Sequence, residues 1–488
     1  MIELKDKSLL RPDAAFINGE WISGDTTFDV FDPATWQPVA RVPDLGELDV
    51  NGAVEGAIRA GDKLSVMTGK KRGELLRTWY GLVKAAQEDL ANIITLENGK
   101  TIGEARGEVS YAADFIDWFA GEAPRIDSCA VPASQPSNRL VTIKQPVGVC
   151  GIITPWNFPA AMVTRKVAAA LAAGCPCVVK PAPDTPLAAL VLANLASRAG
   201  FPPGALSIVT TRSKTVEVGK VLTQHPAIRK FSFTGSTAVG KQLAAQCTST
   251  VKRVSLELGG NAPFIVFDDA NLQKAADAIM ASKFRLSGQT CVCANRVYVQ
   301  EGVYDQLAVL LVDRIRKFRL GPGTNTESTM GPLITKDAVS KVDAHVKDAL
   351  ERGSNVLIGG QPETSLGLTF FQPTLLVDVP PDALCAREET FGPLLPMFKF
   401  GADEDAVKLA NASEAGLAGY LFTERVSRAW KVAESLEVGM VGVNTGIISD
   451  VASPFGGIKG SGLGREGSSV GIDEYLEIKS ITFGVDDI

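Results

Sequence analysis

Residues 147–180 read VGVCGIITPWNFPAAMVTRKVAAALAAGCPCVVK, and their pattern predicts the fold class. Its apolar residues predict a strand at 147–153, an alanine-rich helix at 163–173 and a second strand at 177–179. The alternation continues with a helical run at 187–199 and a strand at 206–209. Short apolar strands separated by helices of this length are typical of a parallel sheet. This part of the chain is therefore predicted to be an α/β domain.

A second alternating block extends from residue 263 to about residue 441. Its strand candidates are residues 264–267, 297–299 and 440–443. With 488 residues the chain is too long for one ordinary hydrophobic core, so we expect two α/β domains.

The N-terminal part is predicted to be mainly helical. Asn18-Gly19 predicts the turn of a hairpin over residues 16–21. Helical periodicity covers residues 50–64, 70–97 and 102–120. Asn98-Gly99 is a C-terminal capping signal for the second of these helices. Residues 140–144 alternate and predict a strand that leaves the globular body, toward a partner subunit.

Composition and charge exclude several classes of function. An apolar content of 45% with 21% charged residues is typical of a globular protein, and a net charge of −6 disfavours nucleic acid and anionic membranes as partners. Residues 1–7 carry charges where a signal peptide needs an apolar core. The longest uncharged run, residues 145–164, contains three prolines and does not predict a membrane span. Eight cysteines without metal-ligand spacing predict neither a metal site nor a disulfide framework, and we expect a cytoplasmic protein.

Cys291 follows a polar turn, Gly288-Gln289-Thr290, and lies shortly before a predicted strand. A thiol at such a junction can be partly exposed and can act as a nucleophile. A buried structural cysteine is the alternative. The chain contains only two histidines, His225 in a turn and His345 on a charged helix. Neither has the setting of a catalytic base, so a cysteine–histidine hydrolase is disfavoured.

The run KFSFTGSTAVGK, residues 230–241, predicts a strand, a glycine turn and the start of a helix. Backbone amides at a helix N-terminus can hold a phosphate. The spacing Gly235…Gly240-Lys241 is close to a P-loop, but Gln242 replaces the hydroxyl residue that would bind Mg²⁺. The run also lacks the Gly-x-Gly-x-x-Gly dinucleotide pattern. A glycine needed only for a tight turn is the alternative.

Two further polar residues follow predicted strands. Asn157 lies in the two-proline turn TPWNFP, residues 154–159, where a fixed amide suits an oxyanion hole; an Asx turn is the alternative. Glu257 ends the alternating strand of VSLELGG, residues 254–260. A carboxyl group there can have a raised pKa and act as a general base; a surface carboxylate is the alternative.

Seven ordered motifs resemble the aldehyde dehydrogenase superfamily, and the resemblance covers nearly the whole chain. They are PWNFP (155–159), KPA (180–182), FTGS (233–236), ELGG (257–260), GQTC (288–291), ETFGP (389–393) and PFGG (454–457). The resemblance implies an α/β fold with a Rossmann-like cofactor domain, an α/β catalytic domain and a small β oligomerisation element. We expect the cofactor domain over 1–125 and 146–258, the catalytic domain over 259–448, a return segment over 449–474 and the oligomerisation element over 126–145 and 475–488.

The resemblance also implies roles for the site residues. Cys291 would be the nucleophile, Glu257 the general base, and Asn157 with the backbone N–H of Cys291 the oxyanion hole. A CoA-acylating relative would dispense with Glu257, and a non-catalytic one would lose Cys291 or Glu257. The implied cofactor-binding residues are Thr154, Trp156, Lys180, Pro183, Phe233, Gly235, Ser236, Gly240, Leu258, Glu389 and Phe391.

A narrower likeness is to succinate-semialdehyde dehydrogenases. It rests on KFR (283–285), CVC (291–293), GIIS (446–449) and GLGREG (462–467). It implies that Arg165, Arg285 and Ser449, with Phe455, bind the substrate, since arginine suits a bidentate contact with a carboxylate. The alternative is that both arginines are ordinary ion-pair partners. Asp450 differs from the residue in many relatives, which leaves a glutarate-semialdehyde dehydrogenase or an aldehyde dehydrogenase of broader specificity as the alternative.

Pro183 stands where NAD-preferring relatives commonly have glutamate, so we expect NADP to be accepted, with NAD retained if Asp184 reaches the ribose. Cys293 is a candidate disulfide partner of Cys291; simple packing is the alternative. The resemblance implies a homodimer or homotetramer.

Overall fold

The computed structural model describes residues 4–485; residues 1–3 of the charged N-terminal stretch and residues 486–488 of the expected oligomerisation element lie outside this range. The strands within it are β1 (Ala15–Ile17), β2 (Glu20–Ile22), β3 (Thr27–Phe31), β4 (Pro38–Pro43), β5 (Cys129–Val131), β6 (Asn138–Pro146), β7 (Val149–Ile153), β8 (Cys177–Lys180), β9 (Leu206–Ile208), β10 (Ile228–Thr234), β11 (Arg253–Glu257), β12 (Ala262–Val266), β13 (Ala294–Gln300), β14 (Asn355–Ile358), β15 (Thr374–Val377), β16 (Leu394–Phe400), β17 (Ala415–Gly416), β18 (Ala418–Phe422), β19 (Met440–Val443), β20 (Ile458–Lys459), β21 (Gly462–Leu463) and β22 (Leu476–Gly484).

The α-helices within the same residues alternate with these strands. They are α1 (Glu47–Ser65), α2 (Gly69–Ala85), α3 (Gln87–Asn98), α4 (Ile102–Glu122), α5 (Ala161–Ala173), α6 (Leu187–Arg198), α7 (Thr215–Gln224), α8 (Thr237–Cys247), α9 (Leu272–Lys283), α10 (Tyr304–Ile315), α11 (Lys336–Glu351), α12 (Leu384–Arg387), α13 (Asp403–Asn411) and α14 (Val426–Ser435). None of these helices is both long enough and apolar enough to cross a membrane.

The first α/β unit is an eight-stranded sheet in the order β2-β1-β9-β8-β7-β10-β11-β21. Its centre, β9 to β11, is parallel, and the strands at both edges are antiparallel. Separate hydrophobic clusters cover its two faces, one built largely from α2 to α6 and the other from α1, α7 and α8. Because both faces of the sheet are buried, the sequences of the central strands are continuous apolar runs.

The second unit is a seven-stranded sheet in the order β14-β15-β16-β13-β12-β18-β19, parallel except for β14. Hydrophobic clusters again lie on both faces. The loops that enter β12, β13 and β16 face the loops that leave β7, β10 and β11. This junction gathers loop residues from both sheets, and the candidate site lies there.

Strands β5, β6 and β22 form a third, separate sheet. β6 pairs with β22 over nine positions, from Leu476↔Pro146 to Gly484↔Asn138, and with the short strand β5. The strand expected at residues 140–144 is thus the centre of an antiparallel, three-stranded sheet. Ile478 and Phe483 of β22 remain exposed on it.

Local sequence signals explain several element boundaries. Asn18 and Gly19 both have positive φ, 55° and 87°, as the predicted hairpin turn requires. Gly99 ends α3 in the left-handed conformation with φ 88°. The single helix predicted at residues 70–97 is wrong, because Ala86, with ψ 11°, separates α2 from α3. Val83 and Leu90 on either side of the break are buried in the same cluster, so the hydrophobic pattern continues across it.

Candidate active site

Cys291 lies on a tightly held loop that enters β13. Leu286 and Ser287 have positive φ, 50° and 53°, which is a strained conformation for residues other than glycine. The Ser287 hydroxyl donates to the carbonyl of Gly331 at 2.7 Å, and the Gln289 side chain donates to that of Leu286 at 3.1 Å. These contacts fix the turn that presents the partly exposed Cys291 thiol.

Gly260 allows the thiol loop to approach the end of β11. A Cβ at Gly260 would lie 2.3 Å from the carbonyl oxygen of Cys291. Burial raises the pKa of the Cys291 thiol, and the neighbouring Glu257 carboxylate raises it further, whereas Arg165 lowers it. The resting thiol is therefore protonated and needs a base before it can attack.

Asn157 bridges the two sheets. Its Nδ2 donates to the carbonyl oxygen of Gln289 at 3.0 Å, and its Oδ1 is buried without a hydrogen-bond partner among residues 4–485. The side chain therefore does not form the alternative Asx turn. Lys100 holds this turn in place. Its Nζ donates a hydrogen bond to the Asn157 carbonyl at 2.9 Å and forms an ion pair with Glu108.

Glu257 is buried, with 4% of its surface exposed, so it is not the surface carboxylate of the alternative interpretation. Neither carboxyl oxygen has a hydrogen-bond partner within the described chain. Burial raises the pKa of Glu257 to about 8; Arg165 acts in the opposite direction, and the Glu466 carboxylate raises it. A carboxyl group that titrates near neutral pH is suited to accept and return a proton.

A buried cluster of charges lies behind Glu257. The guanidinium of Arg165 forms an ion pair with Glu466 through Nε, and its Nη2 is 3.8 Å from Oε2 of Glu257. Lys166 also pairs with Glu466 and donates to the hydroxyl of Ser232 at 3.1 Å. Two cations thus share two carboxylates in the protein interior, which is how buried charges are usually balanced.

A cavity of about 300 Å³ opens on one side of the Cys291 thiol. We call it the arginine cavity, and its walls include Arg165, Arg285, Ser449, Phe455, Tyr111 and Cys291. All four expected substrate residues therefore meet at one cavity. The Arg165 guanidinium lies 4.3 Å from the Phe455 ring centre, which orders both side chains.

The two arginines of this cavity differ in their partners. Arg165 is paired with Glu466 as described above. Arg285 stacks over the Phe158 ring at 5.3 Å, and it has no hydrogen bond or ion pair to any residue between 4 and 485. A guanidinium without a protein acid, facing a cavity, is available to bind the carboxylate of a ligand.

A second cavity, also of about 300 Å³, opens on the other side of Cys291. We call it the aromatic cavity; among the expected cofactor residues it is lined by Trp156, Gly235, Ser236, Leu258, Glu389 and Phe391. The rings of Trp156 and Phe391 meet edge to face at 5.6 Å, and Phe391 has a positive φ of 55°. Cys291 contributes to the walls of both cavities, so a group in either one can reach its sulfur.

Glu389 provides a polar anchor in the aromatic cavity. Its Oε1 accepts the N–H of Gly260 at 3.2 Å, and burial raises the pKa of Glu389 to about 7. The hydroxyl of Thr234, on the same wall, is buried without a partner in the described residues. A carboxylate, an orphan hydroxyl and two aromatic rings fit a ribose and a planar heterocycle, as in a nicotinamide nucleoside.

The other expected cofactor residues do not line the aromatic cavity. The Thr154 hydroxyl is buried without a hydrogen-bond partner in residues 4–485. Phe233 and Gly240 are in close-packed positions, since a Cβ at Gly235 would lie 2.4 Å from the Phe233 ring and one at Gly240 would lie 2.3 Å from Leu258. Ser236, which does line the cavity, also caps α8, because its side chain accepts the N–H of Val239 at 3.4 Å.

Lys180 and Pro183 lie further along the same edge of the sheet. Lys180 ends β8 and is buried, and burial lowers its pKa to about 8, partly offset by Asp184. Asp184 does not extend freely toward the cavity, because it accepts a hydrogen bond from Arg212 at 3.0 Å.

Comparison with known protein families identifies the family to which this chain belongs. The model of the aldehyde dehydrogenase family matches residues 21–481, which is nearly the whole chain. The chain belongs to the aldehyde dehydrogenase family. It is therefore an NAD(P)-dependent oxidoreductase, and the expected α/β fold is confirmed.

Individual members of the aldehyde dehydrogenase family are similar over their full length. The chain is 54% identical over 485 residues to succinate-semialdehyde dehydrogenase (NADP(+)) 1 of Schizosaccharomyces pombe, covering 98% of this chain and 97% of that protein. It is 51% identical over 486 residues to glutarate-semialdehyde dehydrogenase of Pseudomonas putida, covering 99% and 100%. The crystal structure of succinate-semialdehyde dehydrogenase from Burkholderia pseudomallei matches with a TM-score of 0.97 and 52% identity, covering 99% of this chain and 100% of that one.

Sequence reasoning missed several residues of this aldehyde dehydrogenase site. Lys166 and Glu466 complete the charge cluster, and Lys100 with Glu108 holds the Asn157 turn. Tyr111 lines the arginine cavity, and its buried hydroxyl has no hydrogen-bond partner within residues 4–485. One signal was available for Lys166: it follows Arg165 in an otherwise apolar helix, where two adjacent cations require buried acids.

Cys293 lies close to the nucleophile in sequence but faces another part of the structure. It is buried, it lines neither cavity, and its thiol donates to the carbonyl of Lys283 at 3.7 Å. Packing against the end of α9 thus accounts for its position.

Proposed function

We propose that this aldehyde dehydrogenase oxidises succinate semialdehyde to succinate with NADP. The observation that carries the proposal is the arginine cavity, in which Arg165, Arg285 and Ser449 face the Cys291 thiol. An aldehyde with a carboxylate at its other end fits this arrangement, since one end meets the nucleophile and the other meets the cations. The names of the similar proteins from Schizosaccharomyces pombe and Burkholderia pseudomallei support the same substrate.

Glutarate semialdehyde is the second candidate substrate. Asp450 is exposed next to Ser449, where a negative charge affects how far a substrate carboxylate extends. The relative from Pseudomonas putida named for glutarate semialdehyde is nearly as similar as the one from Schizosaccharomyces pombe.

The positions of the thiol, Glu257 and Asn157 support the catalytic roles that the resemblance implies. The Cys291 thiol loses its proton to solvent, and the thiolate adds to the aldehyde to give a thiohemiacetal. The side-chain amide of Asn157 and the backbone N–H of Cys291 stabilise the oxyanion that forms. After oxidation the substrate is a thioester of Cys291, and Glu257 removes a proton from the water that releases the acid.

NADP, when bound, supplies the hydride acceptor for the thiohemiacetal. Glu389 would hold the nicotinamide ribose and Phe391 with Trp156 would bound the ring in the aromatic cavity. Ser236 and the N-terminus of α8 would hold the pyrophosphate. Lys180 would contact the adenosine ribose, with Pro183 in place of the carboxylate that repels a 2′-phosphate.

The domain division and the assembly are also proposals. Residues 1–125 and 146–258 would form the cofactor domain, 259–448 the catalytic domain and 449–474 the return segment. Residues 126–145 with 475–488 would form the oligomerisation element of a homodimer or homotetramer. The exposed Ile478 and Phe483 on the three-stranded sheet support a subunit contact there. The eight unpaired cysteines, all within residues 4–485, support a reducing cytoplasm.

Steady-state kinetics test the proposal. Initial rates would be measured for succinate semialdehyde, glutarate semialdehyde and butanal, each with NADP and with NAD, and with the Cys291→Ala variant as the blank. We expect a large kcat/KM advantage for the carboxylated aldehydes and turnover with NADP. Equal or better use of butanal would refute the semialdehyde assignment, and a strong NAD preference would refute the cofactor assignment.

A further inference from the structure

One glycine of α4 lines the arginine cavity although no packing contact requires it. Gly107 belongs to the cavity wall together with Tyr111 and Arg285, and it is exposed, so it lies at the mouth of the cavity. A Cβ at Gly107 would have no heavy atom of residues 4–485 within 4 Å outside its own turn of the helix. Its φ is not positive, so the backbone conformation does not require glycine either.

A glycine in the interior of a helix is destabilising relative to alanine, because its backbone loses more freedom on folding. At Gly260 the absence of a side chain permits a close contact, since a Cβ there would lie 2.3 Å from the carbonyl oxygen of Cys291. Gly107 permits no such contact. The consequence of its missing side chain is a wider mouth of the arginine cavity.

The arginine cavity is also larger than a four-carbon substrate requires. Its volume is about 300 Å³. Sites of about 300–1,000 Å³ typically enclose ligands the size of a drug molecule. Succinate semialdehyde has only two methylene groups between its aldehyde and its carboxylate, so with the aldehyde at Cys291 it leaves part of the cavity unfilled.

Arg285 is the cation that can follow a carboxylate toward the mouth. It is half-buried, and it has no hydrogen bond or ion pair to any residue between 4 and 485. Arg165, in contrast, is buried and paired with Glu466. A change of rotamer at Arg285 therefore breaks no ion pair, and its guanidinium can meet a carboxylate at more than one distance from the thiol.

We infer that the enzyme also oxidises carboxylated aldehydes longer than glutarate semialdehyde, such as the six-carbon adipate semialdehyde, and that Gly107 is the residue that admits them. The inference rests on the proposed semialdehyde function and extends it to longer chains. The added methylene groups occupy the space beside Gly107, and Arg285 binds the carboxylate. The aldehyde gives a hydride to NADP and takes its second oxygen from water, which yields adipate, NADPH and two protons.

Steady-state kinetics with adipate semialdehyde, succinate semialdehyde and hexanal test the inference. For the wild-type enzyme we expect a kcat/KM for adipate semialdehyde within about 10-fold of that for succinate semialdehyde, and at least about 10-fold above that for hexanal, which has no carboxylate. Gly107→Leu fills the space of the added methylene groups. It should therefore lower the ratio of kcat/KM for adipate semialdehyde to that for succinate semialdehyde by about 10- to 200-fold.

Gly103→Leu is the matched control. Gly103 lies one turn earlier on α4, and a Cβ there would also have no heavy atom of the described residues within 4 Å outside its own turn, but Gly103 does not line the cavity. Its replacement should leave the ratio unchanged. Gly107→Ala, a smaller change, should lower the ratio in the same direction and replaces Gly107→Leu if that variant does not fold.

The outcomes separate the inference from the proposed function. A wild-type enzyme that oxidises succinate semialdehyde but rejects adipate semialdehyde would overturn the inference and leave the proposed function intact. Efficient use of adipate semialdehyde by an enzyme that barely oxidises succinate semialdehyde would support the open mouth and refute the proposed substrate. Equal effects of Gly103→Leu and Gly107→Leu would overturn the role of Gly107, and equal use of hexanal and adipate semialdehyde would overturn the role of the carboxylate.

Discussion

Replacement of Arg285 by glutamine is the most informative change in the arginine cavity. Arg285 has no ion pair or hydrogen bond within residues 4–485 and contacts the Phe158 ring at 5.3 Å. Its removal therefore breaks no buried pair, and the expected loss of folding stability is at most about 1 kcal/mol. Arg165 is less suitable, because its removal would leave Glu466 with one cation fewer in the protein interior.

The expected effect on catalysis is specific for carboxylated aldehydes. Loss of a charge-assisted contact to the substrate carboxylate costs about 1.5–3 kcal/mol, which corresponds to roughly a 10- to 150-fold decrease in kcat/KM. Butanal has no carboxylate, so its kcat/KM should not change. The ratio of the two kcat/KM values is therefore the quantity to measure.

The assay is NADP reduction followed at its absorbance band, with both aldehydes and with wild-type enzyme, Arg285→Gln and Arg316→Gln. Arg316 is an exposed arginine on the surface, 3.8 Å from Asp313, and its replacement controls for a change in total charge. An equal decrease for succinate semialdehyde and butanal in Arg285→Gln would contradict this role, because it would mean that Arg285 shapes the site without contacting the carboxylate.

Three further predictions concern the thiol and its surroundings. Since Glu257 must be ionised to act as a base and burial raises its pKa to about 8, single-turnover thioester hydrolysis should accelerate as the pH rises and level off above about 8; a rate that is flat between about pH 6 and about pH 9 would contradict this. Lys100→Met breaks a buried ion pair and should lower the free energy of unfolding by about 3–5 kcal/mol in a denaturant titration, whereas the exposed Lys71→Met should change it by less than about 1 kcal/mol; equal effects would argue against the pair. Because Cys293 packs against the end of α9, Cys293→Ala and the wild-type enzyme should be inactivated by peroxide at equal rates, and a more resistant variant would instead support a Cys291–Cys293 disulfide.

The sequence predicts those features that are local in the chain. Short sequence patterns predict three of these features: the strand that ends at Glu257, the turn that carries Asn157 and the glycine turn at Gly235. The resemblance to the family predicts that these motifs belong to one site. The sequence does not predict the helix break at Ala86, because residues on both sides of the break are buried in the same hydrophobic cluster. Its position depends on tertiary packing and not on the periodicity of the chain.

Long-range electrostatics are the other part that the sequence does not reveal. Lys166 and Glu466 are 300 positions apart, and they meet because β21, shortly before Glu466, pairs with β11 at the edge of the first sheet. Arg212 and Asp184 meet because two loops leave neighbouring parallel strands, β9 and β8, at the same edge. Such contacts become predictable only after the strand order is known.

Trapping of the acyl-enzyme would show whether Cys291 is the nucleophile and Glu257 the base for hydrolysis. Glu257→Gln keeps the size of the side chain and removes the base that the thioester needs for hydrolysis. After incubation with succinate semialdehyde and NADP, intact-protein mass spectrometry should detect a gain of one succinyl group, and peptide mapping should assign it to Cys291. The Cys291→Ala variant should remain unmodified. Undiminished turnover by Glu257→Gln, or an adduct on another residue, would contradict the account.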